Sequence, residues 1–121
     1  MKKRILIVDD DAELAEEIAE ILRDEGYFVD SATDSGRGEA LIGKNIYDAY
    51  LFDYKMSGLT GTDLLRKAKE KDPKAAVLII SGRPFIEKLL KEEKMDHLVS
   101  SVIKKPFDAE TLLDKIKDLV A

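Results

Sequence analysis

Cysteine and tryptophan are both absent from this 121-residue chain, and His97 is its only histidine. The lack of cysteine excludes disulfide frameworks, thiolate metal centres and cysteine nucleophiles. With a single imidazole as well, a zinc centre is disfavoured. Long apolar runs are also missing. Lys2, Lys3 and Arg4 imitate the basic start of a signal peptide, but the run from Ile5 to Val8 stops at Asp9. That is too short for a signal-peptide core or a membrane span. A cytoplasmic location with no membrane association is the expectation. There is no linker, long repeat or low-complexity tract, so residues 1–121 are expected to form one domain.

Charge, by contrast, is plentiful and uneven. The chain carries 25 acidic and 20 basic side chains, a net charge of −5. Residues 1–60 hold 7 Lys/Arg against 14 Asp/Glu, and residues 61–121 hold 13 against 11. An acidic first half without a basic stripe argues against direct nucleic-acid contact. The acidity is either a solvated face or a concentration of carboxylates where a cation binds.

Apolar runs of strand length alternate with segments of helical period. Ile5–Val8 reads as a strand buried on both faces. Asp11 caps a helix whose Leu14, Ala15, Ile18, Ile21 and Leu22 share one side, and Gly26 stands where a helix C-cap is wanted. Tyr27–Val29 reads as a second strand. The stretch after Asp34 reads as a loop and a loose helix, interrupted by Gly36, Gly38 and Gly43. Ala49–Phe52 is a third strand, and residues 62–71 form a helix ended by Asp72-Pro73. Ala76–Ile80, a helix over Phe85–Lys94, a short strand centred on Val102–Ile103, and a helix capped by Asp108 complete the pattern. Five such pairs predict an α/β fold: a doubly wound, five-stranded parallel sheet of order 2-1-3-4-5, flavodoxin-like (βα)5. Ligands of such sheets bind beyond the carboxyl ends of the strands, at the switch point between strands 1 and 3.

Polar residues gather at that edge. Strand 1 runs into Asp9-Asp10-Asp11, strand 3 into Asp53, strand 4 into Ser81-Gly82, and strand 5 into Lys104-Lys105-Pro106. Two carboxylates about 4 Å apart repel by roughly 4 kcal/mol at an effective dielectric of 20. Three in one crevice either take up protons or require a cation. Mg2+, a hard ion suited to carboxylates, carbonyls and water, fits the available donors. A metal, an ammonium, a hydroxyl and a nucleophilic carboxylate are the parts of a phosphoryl-transfer site. A lone aspartate at a strand end is more often a turn residue or a cap, and Asp11 keeps that reading. Joint placement reverses it for Asp9, Asp10 and Asp53. Lys104 points to the opposite face and is solvated, as is His97.

The runs Ile5-Leu6-Ile7-Val8-Asp9-Asp10-Asp11, Leu51-Phe52-Asp53-Tyr54-Lys55-Met56-Ser57-Gly58 with Gly61, Ile79-Ile80-Ser81-Gly82 and Ile103-Lys104-Lys105-Pro106-Phe107 together resemble a response-regulator receiver domain. The resemblance spans the chain from the first strand to the last helix. It implies that Asp53 accepts a phosphoryl group from a sensor histidine kinase or phosphotransfer protein. Asp10 would ligate Mg2+ directly, Asp9 would hold its water shell, and the Lys55 backbone carbonyl would add a ligand. Ser81 and Lys105 would each contact a phosphoryl oxygen. A cis bond before Pro106 is also implied. Downstream, the partner would be another protein or an output domain.

Two positions depart from the family pattern: Ser57 stands where proline is usual, and Val102 where an aromatic switch residue is usual. With Val102 stiff and short, the coupling is expected either to be weaker or to be carried by loop 82–86 with Phe85. Two other classes compete. A haloacid-dehalogenase-like phosphatase would use Asp9 and Asp11 as its Asp-x-Asp pair but leaves Asp53 without a role. A docking module of the same fold would need no acid pocket.

Overall fold

A computed structural model describes residues 2–121. Its elements alternate strictly: β1 (Arg4–Val8), α1 (Ala12–Asp24), β2 (Phe28–Ala32), α2 (Ser35–Lys44), β3 (Ala49–Asp53), α3 (Gly61–Lys71), β4 (Ala76–Ser81), α4 (Ile86–Glu92), β5 (Ser101–Lys104) and α5 (Ala109–Val120). All neighbouring strands are parallel, in the order β2-β1-β3-β4-β5. This is the α/β sheet expected from the alternation of buried runs and amphipathic segments.

Strand alternation sorts the core into two layers. Ile5, Ile7, Leu51, Leu78, Ile80 and Ile103 face α1 and α5, meeting Ile18, Leu22, Leu112 and Ile116. Leu6, Val8, Phe52, Val77 and Ile79 face the other way, toward Ile42 of α2, Leu64 and Leu65 of α3, and Ile86 and Leu90 of α4. Burial of each such side chain contributes roughly 1.5–3 kcal/mol. Helix starts are fixed by short polar side chains. Asp11, Asp34 and Asp108 accept the amide N–H groups of Leu14, Arg37 and Thr111 at 3.1, 2.7 and 2.7 Å. Thr60 and Asp63 form a reciprocal capping box at the start of α3. Each cap is worth about 1 kcal/mol.

Three elements differ from the sequence reading by more than one residue. Residues 35–44 are a regular helix rather than a loop and loose helix. Asp34 caps its start, and the Lys71 ammonium donates to the carbonyls of Ile42, Gly43 and Asn45 at its end, at 2.7, 2.8 and 3.0 Å. Gly38 is required there, because a Cβ would lie 2.8 Å from a methyl of Val8. Strand β2 begins at Phe28 and continues through Asp30 and Ser31, polar residues tolerated on an edge strand. Helix α4 is shorter than Phe85–Lys94. Phe85 lies outside it with φ 60° and no side-chain cap, and Lys94 turns left-handed after it, also at φ 60°. Strand β5, Ser101–Lys104, is centred on Val102–Ile103 as expected. Among the described residues, no helix is long and apolar enough to cross a membrane.

Candidate functional site

The carboxyl ends of β1, β3, β4 and β5 deliver the predicted side chains to one place. Asp9 directly follows β1, and Asp53 and Ser81 are the last residues of β3 and β4. All three are buried, at 0%, 7% and 2% exposure, while Asp10 is exposed. Asp9, Asp10 and Asp53 each offer a carboxylate oxygen within 4.8 Å of the others. The Lys105 ammonium, one residue past β5, lies 3.3 Å from Asp9 Oδ2 and 3.3 Å from Asp53 Oδ1. Asp9 Oδ1 accepts the Asp11 amide at 2.9 Å, which fixes its carboxylate.

Local backbone contacts hold these strand ends in register. The Tyr54 N–H donates to the Ile80 carbonyl at 2.9 Å, and the Lys105 N–H donates to the Ser81 carbonyl at 2.8 Å. Gly61 presses on the acceptor residue so closely that a Cβ there would lie 2.5 Å from the Asp53 carbonyl oxygen. The Lys105–Pro106 bond is cis, as the resemblance implied. Ser81 Oγ accepts the Arg83 N–H at 3.0 Å, leaving its own proton to donate. Lys55 sits in the loop after β3, exposed. Lys104 is turned away and pairs with Glu87 at 3.1 Å. His97 is exposed in a short turn before β5. Val102 is half-buried in β5, paired with Ile79.

One ammonium does not balance three carboxylates. Burial raises the Asp53 carboxyl, from 3.8 to about 6; Asp9 adds to the rise, Lys105 opposes it, and Asp10 adds a little. Burial works against the Lys105 charge, but Asp53 and Asp9 outweigh it and hold its pKa above the ordinary lysine value. A deficit of positive charge lined with oxygen donors suits a hard divalent cation, and the set Asp9, Asp10, Asp53 matches Mg2+ in donor type. No thiolate or imidazole competes in this cluster.

Two contributors escape the sequence reading. Tyr54 reaches from the residue after Asp53 to Glu93, with both carboxylate oxygens 3.2 Å from its hydroxyl. Ser35 bonds the loop that follows β3. Neither carries a sequence signal, because each partner lies more than twenty residues away.

An acid pocket with a paired lysine at the switch point of a 2-1-3-4-5 parallel sheet defines the class of CheY-like α/β signalling domains. The chain belongs to the response regulator receiver domain family, whose model matches residues 5–117. A response regulator receiver protein of Anaeromyxobacter sp. is 35% identical over 93% of this chain and 46% of its own length. The crystal structure of a CheY-like receiver domain protein from Methanospirillum hungatei superposes with a TM-score of 0.89. It is 34% identical, covering 99% of this chain and 94% of that one. TrrA of Thermotoga maritima, solved in complex with Mg(2+)-BeF, has a TM-score of 0.84 and 25% identity over 98% of this chain and 99% of that one. The chain spans about half the length of the curated relatives it matches.

Proposed function

We propose that this receiver domain takes a phosphoryl group onto Asp53 in a Mg2+-dependent reaction and thereby switches a protein-interaction face. The observation that carries the reading is the cluster of buried Asp9 and Asp53 with half-buried Lys105, the ammonium 3.3 Å from both carboxylates. An Asp53 carboxylate oxygen attacks phosphorus, and the P–N bond of a phosphohistidine on the kinase or phosphotransfer partner breaks. The electron pair returns to the imidazole nitrogen, which takes a proton from solvent, and an acyl phosphate remains on Asp53. Lys105 follows the incoming oxygens as a mobile point charge. Ser81 donates its free hydroxyl proton to another oxygen. Asp9, Asp10, Asp53 and the Lys55 carbonyl would hold Mg2+, which supplies the positive charge needed to bring a phosphoryl group among carboxylates.

Relatives of about twice this length support an output domain or a separate downstream protein as the receiver of the signal. A cytoplasmic setting fits both partners. The phosphatase alternative loses its second aspartate, since the Asp11 carboxylate is spent capping α1. The test is incubation with a small acyl or amido phosphodonor, with and without Mg2+, read on a phosphate-affinity gel. A Mg2+-dependent shifted band is expected for the native chain and none for Asp53→Ala. Equal labelling of both would refute the assignment. Absence of label on the native chain would favour the docking module.

A further inference from the structure

Ser35 is the first residue of α2, only 5% exposed, and its hydroxyl works on the loop between β3 and α3. It donates to the Ser57 carbonyl at 3.1 Å and accepts the Leu59 N–H at 2.9 Å. One hydroxyl thus grips the chain on both sides of Gly58. Gly58 has φ +81°, and a Cβ there would lie 2.8 Å from Ser35 Oγ. The bare Cα and the hydroxyl interlock, so the loop has one seat against α2.

The same loop carries Lys55. On its outgoing leg the Tyr54 N–H is held by Ile80, and the Met56 side chain is buried in the core. On its return leg the Gly61 N–H donates to the Tyr54 carbonyl at 3.1 Å. Between Met56 and the Thr60 cap, the hydrogen bonds among the described residues that fasten the loop to another element are the two made with Ser35. The segment that follows Lys55 is therefore held by a side chain from α2, twenty residues earlier in the chain.

We infer that Ser35 is a positioning residue for the metal site, acting through the Ser57–Leu59 segment on the Lys55 carbonyl. This rests on the Mg2+ reading of the pocket given above. Removing residues that orient metal ligands without touching the metal lowers metal affinity. Removing the hydroxyl frees the loop but leaves Asp9, Asp10 and Asp53 in place. Mg2+ should then bind more weakly, with saturation restoring phosphorylation.

The experiment uses 15N-labelled native chain, Ser35→Ala, Gly58→Ala and the double variant. Amide exchange is measured in EDTA, and Mg2+ binding by titration of amide shifts. In Ser35→Ala, the Leu59 amide should exchange about tenfold faster without metal, and the Mg2+ Kd should rise about fivefold. Gly58→Ala should weaken Mg2+ binding as well, but less in the Ser35→Ala background, where its Cβ no longer meets the hydroxyl. Native chain that binds no Mg2+ overturns the metal reading and this inference with it. Native binding together with an unchanged Kd in Ser35→Ala overturns this inference alone. If Ser35→Ala does not fold, Gly58→Ala decides, and an unchanged Kd there overturns it too.

Discussion

The two ends of the sheet hold similar residues and treat them in opposite ways. Toward the end where the strands begin, Asp48 just before β3 and Asp30 in the middle of β2 are met by donors. The Arg4 amide donates to Asp48 at 2.7 Å, and the Arg4 guanidinium lies 3.8 Å from Asp30. The Tyr47 hydroxyl donates to Asp30 at 2.7 Å, and burial, reinforced by that contact, pushes its pKa up to about 12. Arg4 and Asp30 also keep nearly half their side-chain surface in water. Where the strands finish, three carboxylates share one ammonium, and two of the three are buried. Having acids is therefore not what makes a site. Leaving them short of positive charge, where water cannot make up the difference, is.

The largest test of that contrast is chemical. Asp53→Asn should abolish acyl-phosphate formation, at least a hundredfold, while Asp30→Asn leaves it intact on the same gel. Next comes the metal. Asp10→Ala should lower Mg2+ affinity about tenfold or more by isothermal titration, and Asp48→Ala should not change it.

Stability in EDTA should split by end. The raised Asp53 carboxyl means that folding favours its neutral form, so its contribution is full below the ordinary value of 3.8 and is lost as pH rises through about 6. Asp53→Asn should accordingly stabilise the metal-free chain by about 1–3 kcal/mol at ~pH 7.5 and by less at ~pH 5. The opposite pH trend in urea melts would contradict the charge deficit. Lys105→Ala should leave the metal-free fold less stable than Asp10→Asn does, since one deepens the imbalance and the other relieves it. The smallest effect belongs to the balanced end, where Asp30→Asn should cost about 1 kcal/mol.

Much of this was legible in the chain because it rests on local chemistry. Buried β-branched runs, periodic helices and Asp caps name the strands and helix starts, and the strand order puts Asp9, Asp53 and Lys105 together. Two helix ends show where legibility stops. Both α1 and α4 close with the same paired bonds, from Gly26 and Tyr27 to Arg23 and Leu22, and from Lys94 and Met95 to Lys91 and Leu90. In the first, glycine announces the left-handed residue. In the second a lysine occupies it, and the boundary reads two residues late. Helix α2 is obscured in the sequence for a related reason. Its glycines look like breakers, but Gly38 is a close approach to Val8, and the cation that caps its end, Lys71, comes from α3.

Helix α4 is a seven-residue segment bounded on both sides by left-handed residues that are not glycine, Phe85 and Lys94. Each such residue costs roughly 1–2 kcal/mol, and a helix of two turns has almost no stability of its own. Only Ile86 and Leu90 anchor it in the core. In native-state hydrogen exchange, the α4 amides should therefore open at a free energy below that of global unfolding. The helix that follows the Ser81 end of β4 in the chain is thus lightly anchored. A partner that binds it in either form meets a small energetic gap rather than a rigid wall.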